Sequence, residues 1–210
     1  IDGFLSATLA IILVILTRIF YRPKAQALDY VLDIAGVSIV VFGQILRISG
    51  RNYKKQYSDQ GGALITDGPY GLVRNPMYLG TFLMGAGFII ILWPWWFLFI
   101  FIGIFYLRFH KLILLEEDKL SKAFGQSYQQ YLQTAPRLIL SPAKLFNLPK
   151  YLPLRWQWIK KELSAIFTWF ILVAIIEGLV EKLNFVSRGY LKELMVLGGA
   201  FISISGFFIL

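Results

Sequence analysis

The sequence predicts an all-α, polytopic integral membrane protein with about six transmembrane helices, and three observations carry that prediction. Of its 210 residues 57% are hydrophobic and 17% aromatic. Mean hydropathy is +0.63, well above the balance of a water-soluble globule. The apolar residues also fall into runs near the length a bilayer requires, and basic residues flank those runs rather than interrupting them.

The runs are taken in chain order. Residues 3–20 and 30–49 form an expected N-terminal helix pair. Residues 77–92 and 95–109 follow as a third and fourth span, most of the runs lying near the lower edge of the roughly 17 to 25 residues a span needs. Between the third and fourth lie Leu92, Trp93, Pro94, Trp95 and Trp96. Proline stops a helix and tryptophan suits the headgroup zone, so a tight hairpin is expected there.

Residues 116–132, EEDKLSKAFGQSYQQYL, place Leu120, Phe124, Tyr128 and Tyr131 at helical spacing among polar residues. That pattern predicts a helix lying in the interface and ended by Pro136. Residues 141–161 are broken by proline, basic and rich in tryptophan, and read as a membrane-surface linker. Residues 164–180 and 191–210 are the last expected spans, with Gly199 and Ser203 placed for close helix packing. The expected division is an N-terminal helix pair over 1–50, a catalytic core over 51–140, and a linker with a C-terminal helix pair over 141–210.

Charge sets the expected orientation. Of 21 Lys and Arg residues, all but six (Arg18, Arg22, Lys24, Lys182, Arg188 and Lys192) fall on one side of the six-span arrangement. The positive-inside bias makes that side cytoplasmic, with both termini there. The net charge of +9 is explained by anionic headgroups, because no basic stretch has the context of a nucleic-acid motif. There is no cysteine and a single histidine, His110, so thiolate nucleophiles, iron-sulfur clusters and multi-histidine metal sites are excluded and no metal is expected. Ile1 and Leu210, the latter within an apolar run, suggest trimming at both ends, and the first apolar run lacks the flanks of a cleavable leader.

Chemistry concentrates in residues 68–80, GPYGLVRNPMYLG. A structural account covers part of it: Asp67, Gly68 and Pro69 make a turn, Asn75 is a good helix cap and Pro76 a favoured first helical residue. It does not cover Glu116 and Glu117, carboxylates placed where the fourth helix leaves the bilayer and costly there unless solvated or paired. Arg74 is one available partner. Alternatively, both hairpin ends form one pocket on the cytoplasmic face. Helix-start amides would favour a carboxylate, glutamate an ammonium, and Tyr70 or Tyr78 a flat ring. S-adenosylmethionine has all three parts.

GPYGLVRNPMYLG, the tryptophan-flanked hairpin and EEDKLSKAFGQSYQQYLQTAPRLI together resemble the core of the integral-membrane methyltransferases typified by isoprenylcysteine carboxyl methyltransferase, with phospholipid methyltransferases as more distant relatives. The resemblance runs from about residue 44 to 140. It implies S-adenosylmethionine as cofactor, held without a Rossmann sheet, and no GxGxxG is present. It implies cofactor contacts from Ala63, Leu64 and Ile65, from Tyr70, from Asn75, Pro76, Met77 and Tyr78 of the family's RHPxY signature, and from Glu116. A carboxylate nucleophile needs no base, whereas an amine must lose a proton that Glu117 or a tyrosine could accept; Arg74, which heads that signature, and Glu117 are the candidate catalytic residues. Asn75 stands where the family has histidine, and Leu112 where the eukaryotic enzymes have a substrate-binding arginine. The expected substrate is a lipid-like or prenylated amphiphile taken from the bilayer, methylated on oxygen or nitrogen. Two alternatives remain open: an NADPH oxidoreductase resembling sterol reductases, which calls for more phosphate-directed cations than can be assigned, and a non-catalytic lipid-binding protein.

Overall fold

A computed structural model describes residues 26–58, 62–140 and 142–160. The described residues form helices and no strands: α1 (Gln26–Tyr57), α2 (Pro69–Leu72), α3 (Pro76–Leu92), α4 (Phe97–Thr134), α5 (Pro142–Leu145) and α6 (Leu148–Tyr151). Among them two helices are long and apolar enough to cross a membrane, over Val31–Tyr57 and Phe97–Thr134, and α3 is a shorter apolar helix. The expected spans at 3–20, 164–180 and 191–210, and the close packing expected at Gly199 and Ser203, lie outside the described residues.

Helices α1 and α3 are antiparallel and meet along glycines. Gly36, Gly43 and Gly50 recur every seventh residue on α1, Gly80 and Gly87 on α3. A Cβ at Gly43 would lie 2.6 Å from the Gly80 carbonyl oxygen, and one at Gly80 would lie 2.5 Å from the Gly43 oxygen. Gly36 and Gly87 oppose each other in the same way, at 2.9 and 2.6 Å. Backbones approach this closely only where side chains are missing, which is how helices gain dispersion contacts in a medium that offers no hydrophobic drive between them. Beside the seam, Val37, Val41, Ile45 and Leu46 are buried with Leu72, Val73 and Leu79.

Helices α3 and α4 form the expected hairpin. The turn is closed by Phe97 N–H donating to the Pro94 carbonyl at 3.0 Å, and Trp95 is 70% exposed at its tip. A ladder of rings holds the rails together: Phe82 against Phe101 at 5.5 Å and Phe105 at 5.1 Å, then Tyr78 against Phe109 at 5.3 Å. The register of these rungs aligns the start of α3 with residues near 116 on α4.

The structure departs from expectation in one place. The fourth span and the interfacial helix are one helix, because neither glycine nor proline occurs between Ile104 and Phe124 to separate them. The break comes instead at Gly125, with φ 49 and ψ −121, a conformation glycine adopts without penalty. Beyond it, Tyr128, Tyr131 and Ala135 pack with Leu64 and Tyr70. The linker after α4 folds back onto the helices. Leu152 is buried in the α1/α3 core, Ser49 Oγ donates to the Pro153 carbonyl at 3.4 Å, and Lys144 Nζ donates to the carbonyls of Gly71 at 2.7 Å and Thr134 at 2.9 Å.

Candidate functional site

The turn at Asp67 to Val73 is built by short-range bonds: Tyr70 N–H to the Asp67 carbonyl at 3.2 Å, Gly71 N–H to Gly68 at 3.0 Å. Gly68 has φ 55, and a Cβ there would sit 2.7 Å from the Tyr53 ring, so both conformation and space require glycine. Pro76 opens α3 as expected. Asn75 occupies the cap position but its side chain does not cap the helix. It donates through Nδ2 to the Arg137 carbonyl at 3.2 Å, while the Arg74 N–H donates to the Pro136 carbonyl at 2.8 Å. The amide therefore ties the RNP turn to the chain just past α4, and the capping role read from sequence is corrected accordingly.

The two hairpin ends meet at Tyr78 and Glu116, where the phenol donates to Oε1 at 3.0 Å. Tyr70 lies in the same group. Its hydroxyl reaches the Gly50 carbonyl at 3.4 Å, and its own carbonyl accepts from the Tyr131 hydroxyl at 2.7 Å. Burial raises the Tyr70 phenol well above its ordinary value, and the charge of Glu116 and the neighbouring Tyr78 add to the shift. Of the approach residues, Leu64 packs against the Tyr128/Tyr131 cluster and Ala63 N–H donates to the Ser58 carbonyl at 3.1 Å, with Ile65 in the irregular stretch between Leu64 and the turn. Met77 lies on the first turn of α3 with its side chain against Gly50, where a Cβ would come within 3.3 Å of it.

A phenol whose pKa is raised on folding contributes stability that is complete below the unfolded value of 10.0 and is lost as pH rises through the folded value. The protein is thus expected to lose stability above pH 10, and Tyr70→Phe to reduce that alkaline loss. Denaturation midpoints measured on both proteins across that range, beside the ultraviolet signal of tyrosinate, check it. Equal slopes would rule it out.

Arg74 and Glu117 also come together, but in company. Arg74 Nη1 lies 3.4 Å from Glu117 Oε1, with both side chains 14% exposed. Arg137 grips the same carboxylate in bidentate fashion, Nε to Oε1 at 2.9 Å and Nη2 to Oε2 at 2.6 Å. These bonds raise the Arg137 guanidinium above its ordinary value against the opposing effect of burial. Three guanidinium contacts occupy the oxygens from which a proton acceptor would work. Arg74 Nε is buried with no hydrogen-bond partner among the described residues. Arg137 was not among the residues singled out from sequence, since one basic residue after a helix stop carries no pattern of its own.

Beside this group a cavity of about 470 Å³ runs between α3, α4 and residues 137–139. Leu79, Phe82, Phe105, Phe109, Ile113 and Leu138 line it, and Arg137 and His110 also contribute to its wall. Phe109 belongs to both places, packing on the Tyr78 ring and lining the cavity.

Residues 31–127 match the family model described as phospholipid methyltransferase. The chain is also similar to protein-S-isoprenylcysteine O-methyltransferase of Schizosaccharomyces pombe, 36% identical over 73 residues. That stretch covers 35% of this chain and 31% of the relative, so the match spans about a third of the relative's length. No solved structure matches the chain. Both matches are to methyltransferases, so the resemblance drawn from the motifs is shown, and neither favours the reductase or the non-catalytic alternative. The matched segment includes Arg74, Tyr78, Glu116 and Glu117 and stops before Tyr128, Tyr131 and Arg137.

Proposed function

We propose that this chain, whose residues 31–127 carry the phospholipid-methyltransferase match, is an integral-membrane methyltransferase that uses S-adenosylmethionine to methylate a lipid-like or prenylated amphiphile. The observation that carries the reading is the Tyr78–Glu116 hydrogen bond beside an apolar cavity with which it shares Phe109 as a wall. A polar group that suits a charged nucleoside thus adjoins a space that suits a hydrocarbon chain.

The residues present fit the cofactor. Glu116 offers a carboxylate to its cationic groups, Tyr70 and Tyr78 offer ring faces and hydroxyls, and the buried Arg74 Nε is a donor without a partner among the described residues. Ala63, Leu64, Ile65 and Tyr70 would lie along the nucleoside, with Asn75, Pro76, Met77 and Tyr78 at the start of α3. When bound, S-adenosylmethionine supplies a methyl group on a sulfonium, ready for in-line displacement. The protein's part is to orient and to exclude water. Glu116 and Tyr78 hold the cationic end, Phe109 and Ile113 keep the adjoining space dry, and Glu117 positions Arg74 and Arg137 rather than accepting a proton. In this reading residues 51–140 are the catalytic core, flanked by helix pairs in 1–50 and 141–210. The same reading takes six spans, and the excess of basic residues on one side of them supports a site facing the cytoplasm.

The test is calorimetric titration of the purified chain in nanodiscs with S-adenosylmethionine. Saturable binding is expected in the range of about 1 μM to 1 mM usual for enzyme substrates. Tyr78→Phe, which removes the phenol's hydrogen bond to the Glu116 carboxylate, should weaken it about tenfold, the lower end of what one hydrogen bond to a charged group is worth. A wild-type chain that does not bind would defeat the reading. Labelled methyl transfer into a total lipid extract then identifies the substrate.

A further inference from the structure

Most of the apolar cavity is lined by aliphatic and aromatic carbon, but one part of its wall is not. Arg137 contributes to the lining while its side chain remains 42% exposed, although Nε and Nη2 are held by Glu117. Tyr106 stacks on His110 at 4.7 Å, and both line the same cavity. Arg108 lies 5.9 Å from the centre of the Phe109 ring, another part of that wall.

The charges facing this end do not cancel. Arg74, Arg108 and Arg137 are cationic, Glu116 and Glu117 anionic, and Glu116 is turned toward Tyr78. Holding Arg137 by two of its nitrogens fixes the plane of the guanidinium, so its remaining edge is presented without further loss of side-chain entropy. Asn75 fixes the backbone of the same residue through its carbonyl.

We infer that Arg137 is a specificity-determining residue, and that the cavity takes an amphiphile whose apolar chain lies against Phe82, Phe105 and Phe109 and whose anionic oxygens, of a phosphate or a carboxylate, meet the guanidinium of Arg137. This rests on the proposed function and adds a charge requirement to its substrate. It also gives the RNP turn a second task, since Asn75 and Arg74 hold the segment after α4 on which Arg137 sits.

The experiment measures binding of hexadecyl phosphate, palmitate and hexadecanol to the full chain in nanodiscs of neutral lipid, with S-adenosylmethionine binding measured on the same preparations. The wild type is expected to prefer one or both anions over hexadecanol by about tenfold, as a charge-assisted hydrogen bond provides. The anion bound more tightly identifies the headgroup class. Arg137→Gln should bring the preferred anion to the level of hexadecanol, Arg137→Lys should recover part of the difference, and cofactor binding should stay within about twofold in both. Leu138→Trp, which fills the cavity and leaves the guanidinium in place, should weaken all three probes together. Equal binding of the anions and the alcohol to the wild type, or an anion preference that survives Arg137→Gln, overturns the inference while cofactor binding leaves the methyltransferase reading intact. Loss of cofactor binding in the wild type overturns the latter separately.

Discussion

Gly43→Leu is expected to leave little folded protein, the largest single-residue effect this structure predicts. The new side chain has nowhere to go: its first carbon falls 2.6 Å from the Gly80 carbonyl oxygen and 2.9 Å from the Met84 nitrogen. The obstacle is backbone, which cannot rotate aside, so α1 and α3 must separate and lose the packing along the whole seam. Overpacking of a tight core costs about 1 to 3 kcal/mol, and separation of the helix pair places this case at the top of that range or above it. Gly80→Leu should behave alike, and the two should not be additive because they open the same gap. Gly103→Leu is the control, since a Cβ there meets nothing within 4 Å. Thermal unfolding and size-exclusion profiles in detergent read the result. If Gly43→Leu and Gly103→Leu are indistinguishable, the seam is not what joins the two helices.

Glu116→Ala is expected to weaken S-adenosylmethionine binding about a hundredfold while leaving the fold nearly as stable. It removes the carboxylate proposed to face the cofactor's cationic groups and leaves the Tyr78 hydroxyl without its acceptor. Glu116→Gln separates the two losses. The amide oxygen still accepts from Tyr78, so only the charge is missing and a loss of about tenfold is expected. Wild-type affinity in Glu116→Gln would mean that charge plays no part, and wild-type affinity in Glu116→Ala would remove Glu116 from the site. Calorimetry on the three proteins, with thermal melts beside it, decides between these results.

The limits of sequence reading follow from what each feature depends on. The turn at Asp67 to Val73, the start of α3 at Pro76 and the Trp93–Trp96 hairpin are local, set by the conformational preferences of a few adjacent residues, and all were legible. The glycines of α1 and α3 were in plain view at seven-residue spacing, but that spacing gains meaning only when two helices are laid antiparallel in one register. The helix through residues 110–125 was read as two because the chain turns polar there. Polarity governs where a helix lies, whereas its continuity depends on the absence of glycine and proline. Asn75 was read as a cap because caps are local, yet its amide is spent on Arg137, 62 residues away.

What the sequence determined alone was the solvent, the helical class and the motif: apolar runs of bilayer length, basic flanks, and GPYGLVRNPMYLG with its paired glutamates. Only the tertiary structure decided that Tyr78 touches Glu116, that Glu117 belongs to two arginines, and that Arg137 stands at the wall of an apolar cavity. The reason is that hydrophobic periodicity specifies which face of a helix is apolar but not its height against a neighbour. Here that height is set by ring rungs between α3 and α4 and by backbone contact at glycine between α1 and α3.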